Sequence, residues 1–268
     1  MRQWPASQYT LIKRSFYTRG TGYVQLDNYV SALKGVYSSI RLCSLSPSIG
    51  SIGTGLAVNV DVANGTFWTA QELHQAARNF CSAFGNRQGS WPAFRDSLFP
   101  VKNPQNGKVT WPEAMKHLHK MTKLKFTVKH RGKNESKFHN TIKNSVYTNV
   151  LDPREYTIMG FTKKETREGS NAKNEVFPYA AIPGGPVQNI SVYDFYRTKY
   201  NVQIEHWYLP LVKTTKDGMF PMELCVLKSN QKFQYKLSPE QVTRFHDFCN
   251  IFNSLSDPIY DQVRCHTP

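Results

Sequence analysis

Cations and aromatic rings crowd the same half of this chain. Between Glu113 and Lys173 there are 14 Lys or Arg against 6 Asp or Glu, a local balance of +8 within a total of +15. Tyr156, Phe161, Phe177, Tyr179, Tyr193, Phe195, Tyr196, Tyr200, Trp207 and Tyr208 fall in that half or just beyond it. Ammonium and guanidinium groups hold phosphate oxygens while ring faces stack on bases, which is how proteins hold single strands. For any one ring, packing in the core of a small β domain is the ordinary alternative. The interleaving of both residue types is what points to RNA. The pI near 9.6 by itself fits nucleic acid, an acidic membrane surface or a merely solvated basic surface.

Other chemistries find less support. His117 and His119 bring two imidazoles together only on an extended backbone, and no Cys or carboxylate lies at ligand spacing from them, so no metal or other cofactor is expected. The chain contains no GxSxG, Walker A or HExxH motif. Asp152 and Glu155 flank Arg154 at the end of a polar stretch, where acids are ordinarily solvated. No apolar run is long enough to span a bilayer, and residues 1–19 lack a signal-peptide core. The five cysteines (43, 81, 225, 249 and 265) are scattered, with no CxxC. Cys43, Cys81 and Cys225 read as buried thiols in a reducing, cytoplasmic setting.

These residues need elements to position them. Gln8–Thr10, Arg14–Tyr17 and 36–45 read as β-like, and Leu56, Val58, Val60 and Val62 alternate on one face of a strand. Thr69-Ala-Gln-Glu72 reads as a capping box opening a helix with Leu73, Ala76, Ala77, Phe80 and Phe84 on its apolar stripe and Gly85 closing it. Residues 86–112 read as a linker, followed by a short helix from Pro112 to Met121. Beyond Lys120 short strands take over: Leu124–Val128, Tyr156–Gly160, Val202–His206, Met222–Leu227 and Lys232–Tyr235. A helix capped by Ser191 interrupts them, and a last helix opens at Ser238-Pro239. Residues 131–153, rich in Lys and Asn, read as an exposed insertion. The expected class is α+β: a small α/β domain followed by an OB-like β-barrel with an inserted αβ subdomain.

The order of motifs resembles the Argonaute family. Arg14-Ser-Phe-Tyr-Thr18, Gly55-Leu-Ala-Val-Asn-Val-Asp-Val62 and Thr66-Phe-Trp-Thr-Ala-Gln71 resemble its first linker domain. Leu124-Lys-Phe-Thr-Val-Lys-His130, Tyr156-Thr-Ile-Met-Gly-Phe161, Ser191 to Asn201, Phe220-Pro-Met-Glu-Leu-Cys225 and Leu237-Ser-Pro-Glu-Gln241 resemble its PAZ domain. Each motif alone is weak, while their order and spacing over residues 8–241 are specific. The resemblance implies linker 1 over residues 1–115, PAZ over 116–236 and the start of a second linker over 237–268. Residues 131–153 are longer than in animal members and resemble the insertions that fungal members often carry, which implies a fungal source.

The resemblance implies binding of the 3′ end of a single-stranded small guide RNA, without catalysis. The family's slicing carboxylates lie in a PIWI domain, and MID and PIWI are the partner domains of a longer protein. By motif position, His130, Arg154 and Tyr156 fall at the terminal phosphodiester and Phe177 at the aromatic wall. Lys199 and Tyr200 fall on the helix that reaches the phosphate, and Phe220 under the terminal sugar. Phe195 stands where the family usually has Tyr, which removes one hydroxyl from the phosphate. The alternatives are a Dicer-type PAZ domain, a degenerate Argonaute fragment serving protein interaction, and a nonspecific basic nucleic-acid binder. A Dicer PAZ would not carry the Leu56-to-Gln71 motif.

Overall fold

A computed structural model of the chain describes residues 9–18, 23–44, 54–83, 90–102, 105, 107–131, 154–166, 169–180, 185–215 and 218–250. They belong to two compact units, Met1–Trp68 with Lys232–Pro268, and Thr69–Gln231. The helices are α1 (Leu73–Ala83), α2 (Trp91–Ser97), α3 (Glu113–Lys120), α4 (Val192–Tyr200) and α5 (Pro239–Asn250). The mixture of helices and sheets agrees with the expected α+β class. The compact units follow packing, whereas the expected bounds at 115 and 236 follow sequence segments; the two are different divisions of the chain.

In the first unit β1 (Tyr9–Ile12) pairs with β2 (Ser15–Thr18), β2 with β4 (Val30–Ser44), and β4 with β5 (Thr54–Trp68), all antiparallel; β3 (Tyr23–Gln25) also pairs with β4. Gly35 permits the close approach of β2, because a Cβ there would stand 2.4 Å from the Phe16 carbonyl oxygen. Tyr17, Leu33 and Phe67 form a core on this sheet, with the Tyr17 and Phe67 rings edge to face at 4.9 Å. The alternating set on β5 does share one face, but that face is exposed. Leu56 and Val58 keep 75% and 65% of their surface, opposite Leu42 and Ile40 on β4. Ser238 caps α5, its Oγ accepting from the Gln241 amide at 3.2 Å. Arg244 Nη1 donates to the Leu26 carbonyl at 2.9 Å and holds the helix to the sheet. Phe248 is buried on α5, and Phe252 lies outside the described residues.

In the second unit the expected stripe of α1 (Leu73, Ala76, Ala77, Phe80) is buried. It packs against α3, the 3₁₀ turn Met222–Leu224 and β15 (Cys225–Leu227). The capping box does not form. Gln71 and Glu72 run alongside β15 instead: the Leu227 amide donates to the Gln71 carbonyl at 2.9 Å, and Glu72 bridges Val226. The Glu72 carboxylate is engaged by Lys129, 57 positions away, so the helix starts at Leu73. The stretch read as a linker contains α2, capped by Ser90 with proline in its first turn.

Short strands β6 (Val101–Lys102) and β7 (Val109–Thr110) pair ahead of α3. Beyond it β8 (Lys125–Val128) lies between β9 (Tyr156–Thr157) and β15. A second sheet orders β10 (Gly160–Phe161), β13 (Leu211–Lys213) and β14 (Met219–Pro221), and β11 (Val176–Tyr179) pairs with β12 (Gln188–Ser191). Among the described residues these remain separate small sheets and close no ring of strands. Residues 202–206, expected as a strand, are irregular. Asn201 ends α4 in the left-handed region at φ 52°, and the His206 amide is held by the Glu223 carboxylate at 2.9 Å. The expected strand at 222–227 begins as a 3₁₀ turn. Of the insertion expected over 131–153, all but Arg131 lies outside the described residues, as do Phe84 and Gly85.

Candidate nucleic-acid interface

Helix α4 carries the densest part of the interface. Its first turn is capped by Ser191, whose Oγ accepts from the Asp194 amide at 3.0 Å, and Asp194 lies at the positive end of the helix dipole. At 3.6 residues per turn, Phe195 and Lys199 stand on one side of the helix and Tyr196 and Tyr200 beside them. The β11–β12 hairpin leads into α4, with Phe177 paired to Ile190 and Tyr179 to Gln188. Because strand side chains alternate, Phe177 and Tyr179 share a face. Both meet Phe195, each with ring centroids 5.1 Å away and edge to face.

Three further elements deliver the inner rings. β8 ends in a 3₁₀ turn, Lys129–Arg131, that carries His130. β9 carries Tyr156, opposite Phe126 on β8, and β14 carries Phe220, opposite Val212. Tyr156 lies 5.6 Å from Phe126 and 5.0 Å from Phe220. His130 links the two groups, 6.0 Å from Phe220, 4.9 Å from Tyr196 and 4.7 Å from Tyr200. Tyr200 in turn lies 5.8 Å from Phe195. One continuous set of ring contacts therefore runs from Phe126 to Phe177.

Seven of the expected residues meet in this set: His130, Tyr156, Phe177, Phe195, Lys199, Tyr200 and Phe220. They divide by burial. His130, Tyr156 and Phe220 are core, with Phe220 only 1% exposed. Phe177, Phe195 and Tyr200 are partly exposed and Lys199 is exposed. Arg154 is exposed two residues ahead of Tyr156. Burial of Phe220 matters for the role expected of it, because a side chain closed over by Phe126, His130 and Tyr156 supports the site from beneath. Three further rings belong to the set without being among the expected site residues: Phe126, Tyr179 and the buried Tyr196. The alternation Phe177-Pro-Tyr179 and the spacing of Tyr196 to Tyr200 are the signals that find the two tyrosines.

The cation sits over the outer rings. Lys199 Nζ lies 5.2, 5.7 and 5.8 Å from the centroids of Phe195, Tyr200 and Tyr179, within the range where a ring quadrupole attracts a cation. The resulting surface offers ring edges, hydroxyls and a positive charge together, the chemistry suited to a nucleotide with its phosphate.

A second cluster in this unit is electrostatically different. Trp91 lies 4.3 Å from His206 and 5.1 Å from His74, and His206 Nδ1 is 2.8 Å from the Tyr208 hydroxyl. Burial, aided by the positive charges of His206, Lys129 and Arg78, pushes the His74 pKa down to about 3. Burial pushes Glu223 up to about 7, against the stabilising bond from the His206 amide. The Cys81 thiol is likewise pushed up to about 12 by burial, and Cys225 is buried as well. The Cys43 side chain lies outside the described residues. Among the described residues no cluster of three His, Cys, Asp or Glu is placed to hold a metal ion, and no helix is long and apolar enough to cross a membrane.

Comparison with known proteins bears on the same segments. Residues 11–69 match the Argonaute linker 1 domain and residues 114–246 match the PAZ domain. The chain belongs to the Argonaute family. It is 25% identical over 234 residues to protein argonaute of Schizosaccharomyces pombe, covering 87% of this chain and 22% of that one. It is 25% identical over 246 residues to protein argonaute 18 of Oryza sativa subsp. japonica, covering 90% and 18%. The chain thus spans about a fifth of the length of these relatives. Among solved structures, the crystal structure of Kluyveromyces polysporus Argonaute with a guide RNA aligns with a TM-score of 0.49 at 13% identity, covering 90% of this chain and 23% of that one.

Proposed function

We propose that this chain binds the 3′ end of a single-stranded small RNA, in the manner of a guide strand in RNA silencing, and that its residues bind and do not catalyse. The observation that carries this reading is Lys199 over the rings of Phe195, Tyr200 and Tyr179. The wall made by Phe177 supplies a face for the terminal base or sugar, and the ammonium a charge for the phosphate. Arg154 adds a cation beside β9. The buried His130, Tyr156 and Phe220 lie beneath the outer rings and fix their position. The buried thiols fit a reducing, cytoplasmic setting. In a longer protein, MID and PIWI domains would hold the rest of the strand.

The test is binding of a labelled 21-nucleotide RNA with a free 3′ hydroxyl, against the same RNA carrying a bulky 3′ group. The free end is expected to bind several-fold more tightly. Equal binding leaves an RNA surface but removes the end pocket. A protein-interaction role is the second reading, and the exposed apolar ribbon of Ile40, Leu42, Leu56 and Val58 favours it. Absence of binding to either RNA by the folded chain would decide for it.

A further inference from the structure

Among the described residues, Lys199, Tyr179 and Tyr200 are donors without acceptors. Lys199 Nζ makes no ion pair or hydrogen bond with any described residue, and its contacts are the three rings. The hydroxyls of Tyr179 and Tyr200 likewise make no hydrogen bond among the described residues, in contrast to Tyr208, whose hydroxyl is 2.8 Å from His206 Nδ1. The ammonium is nearly equidistant from the two phenol rings, 5.8 Å from Tyr179 and 5.7 Å from Tyr200, with the hydroxyl-free Phe195 ring between them. One charge thus lies at similar distances from two phenol rings that come from different elements, β11 and α4.

We infer that Tyr179 is a further RNA-binding residue whose hydroxyl donates to a non-bridging oxygen of the phosphodiester nearest the 3′ end, opposite Tyr200 and beside Lys199. The inference rests on the 3′-end reading above and adds a residue to it. A phosphate oxygen accepts from phenols and an ammonium at once, and bonds to a charged acceptor are the strong ones. Phe195 has no hydroxyl to offer, and the hairpin brings the Tyr179 ring to within 5.1 Å of it. Tyr179 also shares its strand face with Phe177.

The test uses the full chain, a labelled 21-nucleotide RNA with a free 3′ hydroxyl, and the same RNA with a neutral methylphosphonate at its last linkage. Tyr179→Phe keeps the ring and removes only the donor. It is expected to weaken binding of the ordinary RNA about ten-fold, as loss of a hydrogen bond to a charged group does, and to change binding of the methylphosphonate RNA much less. Lys199→Ala, at an exposed position, should follow the same pattern. A wild-type chain that fails to prefer a free 3′ end overturns the underlying reading. A wild type that prefers the free end while Tyr179→Phe binds equally well overturns the assignment of Tyr179 alone. Equal losses on both RNAs would also overturn it, since the hydroxyl would then serve ring packing and not the anionic oxygen.

Discussion

Lys199 extends its ammonium to 5.2 Å from the centroid of the Phe195 ring, one helical turn earlier on α4. The contact holds a long side chain where its charge is available beside the aromatic wall. Without the ring the same lysine would sample many rotamers in solvent and lose their entropy on binding.

Removing that charge has a defined consequence. Each phosphate neutralised on a single strand contributes a slope of about −0.7 to log K against log salt. Lys199→Ala should weaken RNA binding several-fold and reduce the slope by about 0.7, measured by titration at four or more salt concentrations. An unchanged slope would show that Lys199 is a packing residue without a phosphate.

The outer rings act differently from the lysines of the expected insertion. Loss of one stacking ring costs about 1–3 kcal/mol per base, so Phe177→Ala should weaken binding by that amount with little change in its salt dependence. Lys133→Ala and Lys137→Ala are expected to matter much less. If the two lysines matter more than Phe177, binding is a diffuse electrostatic effect and the wall plays no part.

Phe220 belongs to the folding energy of this unit. It is buried against Phe126, Tyr156 and His130, and truncation of a buried Phe costs about 3–5 kcal/mol through lost transfer energy and the cavity left behind. Phe220→Ala should therefore lower the melting temperature clearly, and any loss of RNA binding should accompany that destabilisation. A variant of wild-type stability with lost binding would return Phe220 to direct contact with RNA.

Two buried groups set opposite pH dependences. The folded-state pKa of Glu223 is raised from 4.5 to about 7, so the folded chain holds its proton more tightly. Its stabilising contribution is complete below about 4.5 and is lost as pH rises through about 7. The pKa of His74 is lowered from 6.5 to about 3. Its contribution is present above 6.5 and is lost as pH falls toward 3. Glu223→Gln can keep an oxygen for the His206 amide while abolishing the charge. Its stability relative to wild type should rise between pH 5.5 and 8 by on the order of 2 kcal/mol, read from denaturant titrations at each pH. A difference that stays constant over this range would mean that Glu223 is already ionised throughout it.

Much of the fold can be read where the signal is local. The stripe of α1, the Ser191 and Ser238 caps and the alternation of β5 all depend on neighbours within one or two turns. The errors have long-range causes. Glu72 looks like the end of a capping box but is taken by Lys129 and Val226. Residues 202–206 have β-like composition, yet Glu223 holds His206 in an irregular segment. The ring set was legible only through the order of motifs, since Phe126, Tyr156, Phe177, Phe195 and Phe220 come from five separate elements that no periodicity connects. Tyr179 and Tyr196 stand in the sequence among the many aromatics of this half, and only the alternation with Phe177 and the helical spacing to Tyr200 separate them from the rest. Nor does alternation alone tell which face of the β4–β5 ribbon is covered.

Recognition of a strand end, as distinct from single-stranded RNA in general, can be measured directly. A circular single-stranded RNA and its linear form of identical sequence differ only in having ends. Competition of each against a labelled linear 21-nucleotide RNA measures that difference directly, with 5′-phosphorylated and 5′-hydroxyl linear forms showing which end matters. If the 3′ end is what the chain binds, linear RNA competes several-fold better than circular RNA regardless of its 5′ group. Equal competition by the circle would contradict it.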